Sequence, residues 1–171
     1  ANIAILHQLS VDIDVVHEPD DAGGYLQTRI RRVQELLHEM PAAVWINQYA
    51  NKRNWQAYYH GTGAEISEQL VRPPDYLFAA VSTTGSILGC GRRLRERFPD
   101  LRVIAVDAAG SIIFGGSPGR REIPGIGASR VPELLEPEEI DEVVYVSDLE
   151  SAQACRAVLE TEGIFAGGSD R

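Results

Sequence analysis

Five small residues, Ser82-Thr83-Thr84-Gly85-Ser86, follow directly on the apolar run at 76–81 and precede a second apolar segment. Four of the five carry hydroxyls, and none is large enough to keep a ligand off the backbone N–H groups. Donors at this density suit the holding of an anion. If the apolar run is a strand and the following segment a helix, that helix starts with unpaired N–H groups and the positive end of its dipole. An anion settles there, and small residues let the backbone close on it. The hydroxyls of Ser82, Thr83, Thr84 and Ser86 would add donors to phosphate oxygens. A plain helix cap uses the same residue types. The strand–turn–helix setting favours the cradle, because ligands of open α/β sheets bind at that edge.

The stretch fits neither G-x-x-x-x-G-K-[ST] nor G-x-G-x-x-G, which speaks against nucleoside triphosphates and dinucleotides. Pyridoxal phosphate is the common phosphate-bearing cofactor that remains. Other residues hold chemical interest. Gly125-Ile126-Gly127 sits inside a long irregular segment, where the glycines serve a tight turn, a ligand, or both. Ser169 closes a glycine-rich stretch and is also a good helix N-cap. Arg120 and Arg121 offer charge to an anionic substrate or to solvent. His60, beside a helical segment, is a surface or packing histidine or a base.

These residues need elements to position them. Short, mostly apolar runs at 11–16, 43–47, 76–81, 102–107 and 143–147 read as strands, of the kind found in a sheet covered on both faces. Helical periods separate them: Leu26, Ile30, Val33 and Leu37, then Ile87, Gly91, Leu94 and Phe98. Ser147-Asp148-Leu149-Glu150 is a capping box for a last helix, with Ala152, Cys155 and Leu159 on one face. Alternating β and α predicts a doubly wound, mostly parallel α/β sheet. Residues 108–136 are rich in Gly, Pro and Ser without a period, as an active-site loop would be.

At 171 residues the chain suffices for one sizeable core. Its formal charge of −9 excludes a general nucleic-acid binder, which needs a basic face. Cys90 and Cys155 form no C-x-x-C pair, so neither a disulfide framework nor a metal site is indicated; both read as buried thiols in helices. No apolar run reaches 18 residues and no signal peptide is seen, so a cytoplasmic protein with neither membrane nor nucleic-acid partners is expected. The first residues open inside an apolar helical pattern and the last stop after a glycine-rich turn, as in a portion of a longer protein.

The sequence also resembles a family. "VSTTGSILGCGRRLRERFPDLRVIAVDA", "IPGIGAS" and "TEGIFAGGS" are similar to three successive signatures of the cysteine synthase group of pyridoxal-phosphate enzymes. "NQYANKRN" (47–54) resembles that group's Q-x-x-N-x-x-N stretch. The resemblance implies fold type II (tryptophan synthase β-like), in incomplete form. It implies residues 1–17 as the end of a small N-terminal domain and 18–171 as a large cofactor-binding domain. It places the cofactor phosphate on Ser82, Thr83, Thr84, Gly85 and Ser86, the pyridine nitrogen on Ser169, and the substrate side on Gly125, Ile126 and Gly127.

"EPDDAGGYLQTRIRRVQELL", "WINQYANKRNWQAYYHGTGAEI", the STTGS form of the loop and Pro124 are closest to the 2,3-diaminopropionate-biosynthesis branch. That implies β-replacement: O-phospho-L-serine loses phosphate and the amine of L-glutamate adds, toward siderophores or peptide antibiotics, in a homodimer. Cysteine or cystathionine synthesis with a thiol is the neighbouring possibility. The family's cofactor-bonding lysine has no counterpart here. The single lysine, Lys52, lies in a polar turn, so no catalytic residue is assigned in this chain. A domain that binds phosphate or a partner without chemistry is the reading from another class.

Overall fold

The computed structural model describes residues 2–20 and 25–168. The chain divides into two compact units, Ala1–Trp45 and Ile46–Arg171. The expected boundary between residues 17 and 18 falls within the first of them.

The first unit holds α1 (Asn2–Gln8) and α2 (Leu26–Glu39). The predicted stripe Leu26, Ile30, Val33 and Leu37 is half-buried along α2. Arg32 gathers Asp14 (2.8 Å), Glu35 (3.2 Å) and Glu39 (3.1 Å). Two strand expectations fail. Residues 11–16 and 43–47 form no ladder among the described residues. A strand exists only through a paired neighbour, and neither run has one among the described residues. Asn47, at φ 30°, also turns the chain out of the extended conformation.

The second unit runs α3 (Arg53–His60), α4 (Thr62–Gln69), β1 (Tyr76–Ala80), α5 (Gly85–Arg97), β2 (Arg102–Ala108), a 3₁₀ turn (Pro137–Glu139), β3 (Glu142–Val146) and α6 (Asp148–Glu162). The three strands form one parallel sheet in the order β1-β2-β3. Tyr76 to Ala80 pair with Arg102 to Val106, and Ile104 to Ala108 with Glu142 to Val146. β2 is the central strand, and its Val103, Ile104 and Ala105 are buried. Ile87, Leu88 and Leu94 of α5, with Phe98 just after it, join Val81, Leu101, Val103 and Ile113 in the core. Each such aliphatic side chain contributes about 1.5–3 kcal/mol by leaving water. No helix among the described residues is long and apolar enough to cross a membrane.

α5 ends in two clamps. Arg92 grips Glu139 through both nitrogens of its fork (2.8 and 2.6 Å), and Arg95 meets Asp141 at 2.5 Å. Asp141 also accepts the Val103 N–H at 2.6 Å, so one carboxylate ties α5 to β2 where the chain enters β3. α6 opens on the predicted capping box: the Ser147 hydroxyl accepts the Glu150 N–H, and the Glu150 carboxylate accepts the Ser147 N–H (2.8 Å). Its inner face is rotated by one position from the expected one. Ser151, Ala154, Cys155 and Val158 turn inward, whereas Ala152 and Leu159 are exposed. Cys155 is half-buried, and only Cys90 is the buried thiol anticipated.

α3 lies unusually close to α5, and the glycines of α5 are the reason. A Cβ on Gly89 would overlap the Trp55 carbonyl oxygen and come within 2.6 Å of Tyr58 Cβ and 2.8 Å of Tyr59 N. Gly89→Ala is therefore expected to destabilise the protein by about 1–3 kcal/mol through overpacking, although alanine is the better helix former. Urea denaturation measures it; an unchanged or raised midpoint would mean that α3 yields at no cost.

Candidate functional site

The site is assembled at the carboxyl end of β1. Val81 continues the ladder by donating its N–H to the Val106 carbonyl (3.0 Å), and the chain then leaves the sheet through Ser82 and Thr83. Thr84 adopts φ 64°, left-handed backbone that a β-branched residue rarely takes. It is almost fully buried, and its hydroxyl donates to the Thr83 carbonyl at 2.7 Å. α5 starts at the next residue, and the Leu88 N–H donating to Thr84 O (3.1 Å) is its first helical bond. The N–H groups of Gly85, Ser86 and Ile87 have no acceptor among the described residues. Three donors at the positive end of a 13-residue helix suit a phosphate dianion. Ser82, Thr83 and Ser86 are half-buried beside them. These residues fit the phosphate of a cofactor: the donors point from a fixed turn, and no side chain at Gly85 stands over them.

Of the predicted residues, the structure brings Ser82–Ser86 and Gly125–Gly127 together. The Gly127 N–H donates to the Val81 carbonyl at 2.7 Å, which docks the glycine turn on the residue that leads into the loop. Gly125 and Gly127 have φ of 93° and 72°, and Ile126 between them is buried, so the turn both requires glycine and is anchored by its middle residue. A Cβ at Gly127 would stand 3.1 Å from Ala108 Cβ and from Ser111 Cβ and would overlap the Arg121 guanidinium. Ser169 lies outside the described residues. Gly168 before it abuts Ile123, two positions ahead of Gly125.

The remaining candidates separate. Arg121 is half-buried and donates to Ser129 Oγ at 2.7 Å, flanking the glycine turn. Arg120 is 87 % exposed and pairs with Glu122. His60 ends α3 at the surface, its ring edge-on to Tyr59. Lys52 is exposed at the start of α3, as a polar-turn lysine would be.

Three further residues support these segments: Ser111 and Asp107 escaped the sequence reading, and Asn54 was marked only by a motif that gave it no partner. Asn54 donates to the Gln48 carbonyl (2.7 Å) and to Thr83 Oγ1 (3.0 Å). Ser111 Oγ accepts the Ala128 N–H at 3.1 Å and so fixes the chain after the glycine turn. Asp107, at the end of β2, has no exposure to solvent; one oxygen accepts the Ala108 N–H (2.8 Å) and the other has no partner among the described residues. Burial pushes its carboxyl above the ordinary aspartate range, and Ser111, the Ala108 N–H and the Arg121 charge pull it back only in part. The Q-x-x-N-x-x-N spacing marked Asn54, but nothing in it named Thr83 as the partner. Asp107 read as one more position of an apolar strand.

The profile of a family described as "Pyridoxal-phosphate dependent enzyme" matches residues 1–169. A curated relative from Ralstonia nicotianae, N-(2-amino-2-carboxyethyl)-L-glutamate synthase, is 56% identical over 168 residues, covering 98% of this chain and 50% of that protein. The O-acetylserine-dependent cystathionine β-synthase of Helicobacter pylori superposes with a TM-score of 0.84 at 31% identity, over 98% of this chain and 53% of that one. The cysteine synthase of Entamoeba histolytica gives 0.86 at 26% identity, over 98% and 49%. The chain thus spans about half the length of the relatives it matches.

Asp107 has a folded pKa raised above its unfolded value, so its contribution to stability is full below the unfolded pKa and is lost as pH rises through the folded one. Asp107→Asn removes that loss. The stability of the variant relative to the unsubstituted protein is expected to rise from below pH 3.8 upward through the raised value. Urea midpoints across that range test it; a difference independent of pH would show that the carboxyl titrates normally.

Proposed function

The chain belongs to the family of pyridoxal-phosphate-dependent enzymes, and on that premise we propose that it forms the phosphate-binding half of a β-replacement synthase acting on an activated serine. The observation that carries the proposal is the junction of two predicted signatures, the Ser82–Ser86 loop and the Gly125–Gly127 turn, through the Gly127–Val81 hydrogen bond. Pyridoxal phosphate, when bound, supplies an electron sink that lets a β-leaving group depart from an amino acid.

This chain's residues hold and orient. The N–H groups of Gly85, Ser86 and Ile87 and the hydroxyls of Ser82, Thr83 and Ser86 take the cofactor phosphate. Thr84 contributes chiefly by its backbone, since its hydroxyl is turned to the Thr83 carbonyl. Gly125, Ile126 and Gly127 bound the substrate side. Ser169 takes the pyridine nitrogen. Lys52 is exposed, and no proton transfer is assigned to it. Residues 1–17 would belong to a smaller domain, and the complete protein would be a cytoplasmic homodimer.

The 56% identity to a named N-(2-amino-2-carboxyethyl)-L-glutamate synthase supports L-glutamate as the amine, while O-phospho-L-serine as the activated serine and 2,3-diaminopropionate for a siderophore or peptide antibiotic as the outcome rest on the sequence resemblance. The full-length protein with pyridoxal phosphate is expected to condense this pair and release phosphate, detected by mass spectrometry and a phosphate assay. Turnover of O-acetylserine with sulfide or homocysteine alone would make it a cysteine or cystathionine synthase. Absence of bound cofactor would leave a non-catalytic binding domain.

Ser169 tests the electronic side of the reading. A neutral hydroxyl at the pyridine nitrogen leaves the ring a weaker sink than an acid would, enough for elimination of a good leaving group. In the full-length protein Ser169→Asp is expected to shift the cofactor spectrum and to lower β-replacement at least ~10-fold, roughly 1.4 kcal/mol of barrier. An unchanged spectrum and rate would remove Ser169 from the site.

A further inference from the structure

Asn54 occupies a position that the reading above does not use. It stands in the first turn of α3, half-buried, and its amide lies over the loop where Gly85 has no side chain. A Cβ on Gly85 would overlap Asn54 Oδ1 and come within 2.8 Å of Nδ2. The orientation of the amide is settled by its neighbour, since the Gln48 carbonyl can only accept a hydrogen bond. Nδ2 must therefore face Gln48 O (2.7 Å), and its second hydrogen reaches Thr83 Oγ1 (3.0 Å).

This second bond fixes the role of the threonine hydroxyl. A hydroxyl has one hydrogen and two lone pairs. With a lone pair occupied by Asn54, the Thr83 hydrogen is directed elsewhere, and no acceptor for it exists among the described residues. The nearest groups of the same turn, the N–H groups of Gly85 and Ser86, are donors as well. The Thr83 carbonyl is already taken by the hydroxyl of Thr84. The hydrogen that remains is free for an acceptor brought to the loop.

We propose that Asn54 is a positioning residue: it turns the Thr83 hydroxyl into a donor toward the cofactor phosphate, and it couples the Gln48 turn to the phosphate loop through the two hydrogens of one amide. The proposal rests on the assignment of Ser82–Ser86 to the cofactor phosphate. Asn54 itself touches no ligand. Its effect passes through Thr83, so the two residues should not act independently on cofactor binding.

A double-mutant cycle with Asn54→Ala and Thr83→Val in the full-length protein tests this, read by the equilibrium dissociation constant for pyridoxal phosphate and by the ³¹P shift of the bound phosphate. Each single variant is expected to weaken binding roughly 10-fold, as for one hydrogen bond to a charged group. The pair is expected to cost little more than Thr83→Val alone, and the ³¹P shift of Asn54→Ala should move to that of Thr83→Val. If Asn54→Ala does not fold by circular dichroism, the isosteric Asn54→Asp, which cannot donate, replaces it in the cycle. Equal cost of the Asn54 change with and without the Thr83 hydroxyl would reduce Asn54 to packing and overturn the inference while leaving the cofactor assignment intact. Failure of the unsubstituted protein to bind pyridoxal phosphate would overturn both.

Discussion

The close approach of α3 to α5 is the constraint on which the site depends. Gly85 and Gly89 are one helical turn apart and present a face of α5 without side chains. Over the first lies the Asn54 amide, and over the second the backbone at Trp55 and Tyr59. Side chains at these two positions would hold α3 away from the loop. Asn54 would then lose Thr83, and the Gln48 turn would lose its link to the phosphate loop. A helix that carries a glycine in its middle gives up about 1 kcal/mol of propensity per residue. Here that cost secures a contact between backbones that larger residues cannot make.

The same helix is held from its other sides by charge and apolar packing. Ile87, Leu88 and Leu94 bury it against the sheet, and Gly91 brings it within 3.3 Å of a Val103 methyl when a Cβ is imagined there. Arg92 serves two elements at once, its fork on Glu139 and its guanidinium plane 4.3 Å from the centre of the Trp55 ring. A half-buried bidentate pair of this kind is fixed more firmly than an exposed one, because solvent screens it less and both hydrogen bonds must break together. The N-terminus of α5, where the anion would sit, is therefore the free end of a helix clamped along most of its length.

The sequence made some of this plain and hid the rest, for physical reasons. Apolar runs that find neighbours became strands, and the loop at 82–86, the long irregular segment and the Ser147–Glu150 box stand where local pattern placed them. These features depend on residues close together in the chain. The runs at 11–16 and 43–47 have strand composition but no ladder partner among the described residues, and composition cannot supply one. The inner face of α6 lies one residue away from its hydropathy stripe because Ser151, a small polar residue, is buried there, its hydroxyl satisfied by the Ser147 carbonyl (2.7 Å). A hydropathy pattern counts such a residue as outward. Asn54 with Thr83, and Gly127 with Val81, are contacts across 29 and 46 positions. No local rule pairs them, and the family resemblance supplied their neighbourhood rather than their bonds.

Thr84 shows how the loop and the fold constrain each other. A threonine at φ 64° is strained by about 1–3 kcal/mol relative to an ordinary conformation. Its backbone reversal aims the N–H groups of Gly85, Ser86 and Ile87 along the axis of α5 instead of letting the helix begin earlier and consume them. The hydroxyl bond to Thr83 O and the near-complete burial of the side chain hold it there. A glycine in its place would relieve the strain but lose both restraints, and the unliganded loop would gain conformations in which the three donors diverge. Threonine keeps the donors converged before any anion arrives, so the ordering cost is met by the folded core. For an anion such as the proposed cofactor phosphate, the arrangement would be a preorganised site whose strain is balanced by packing.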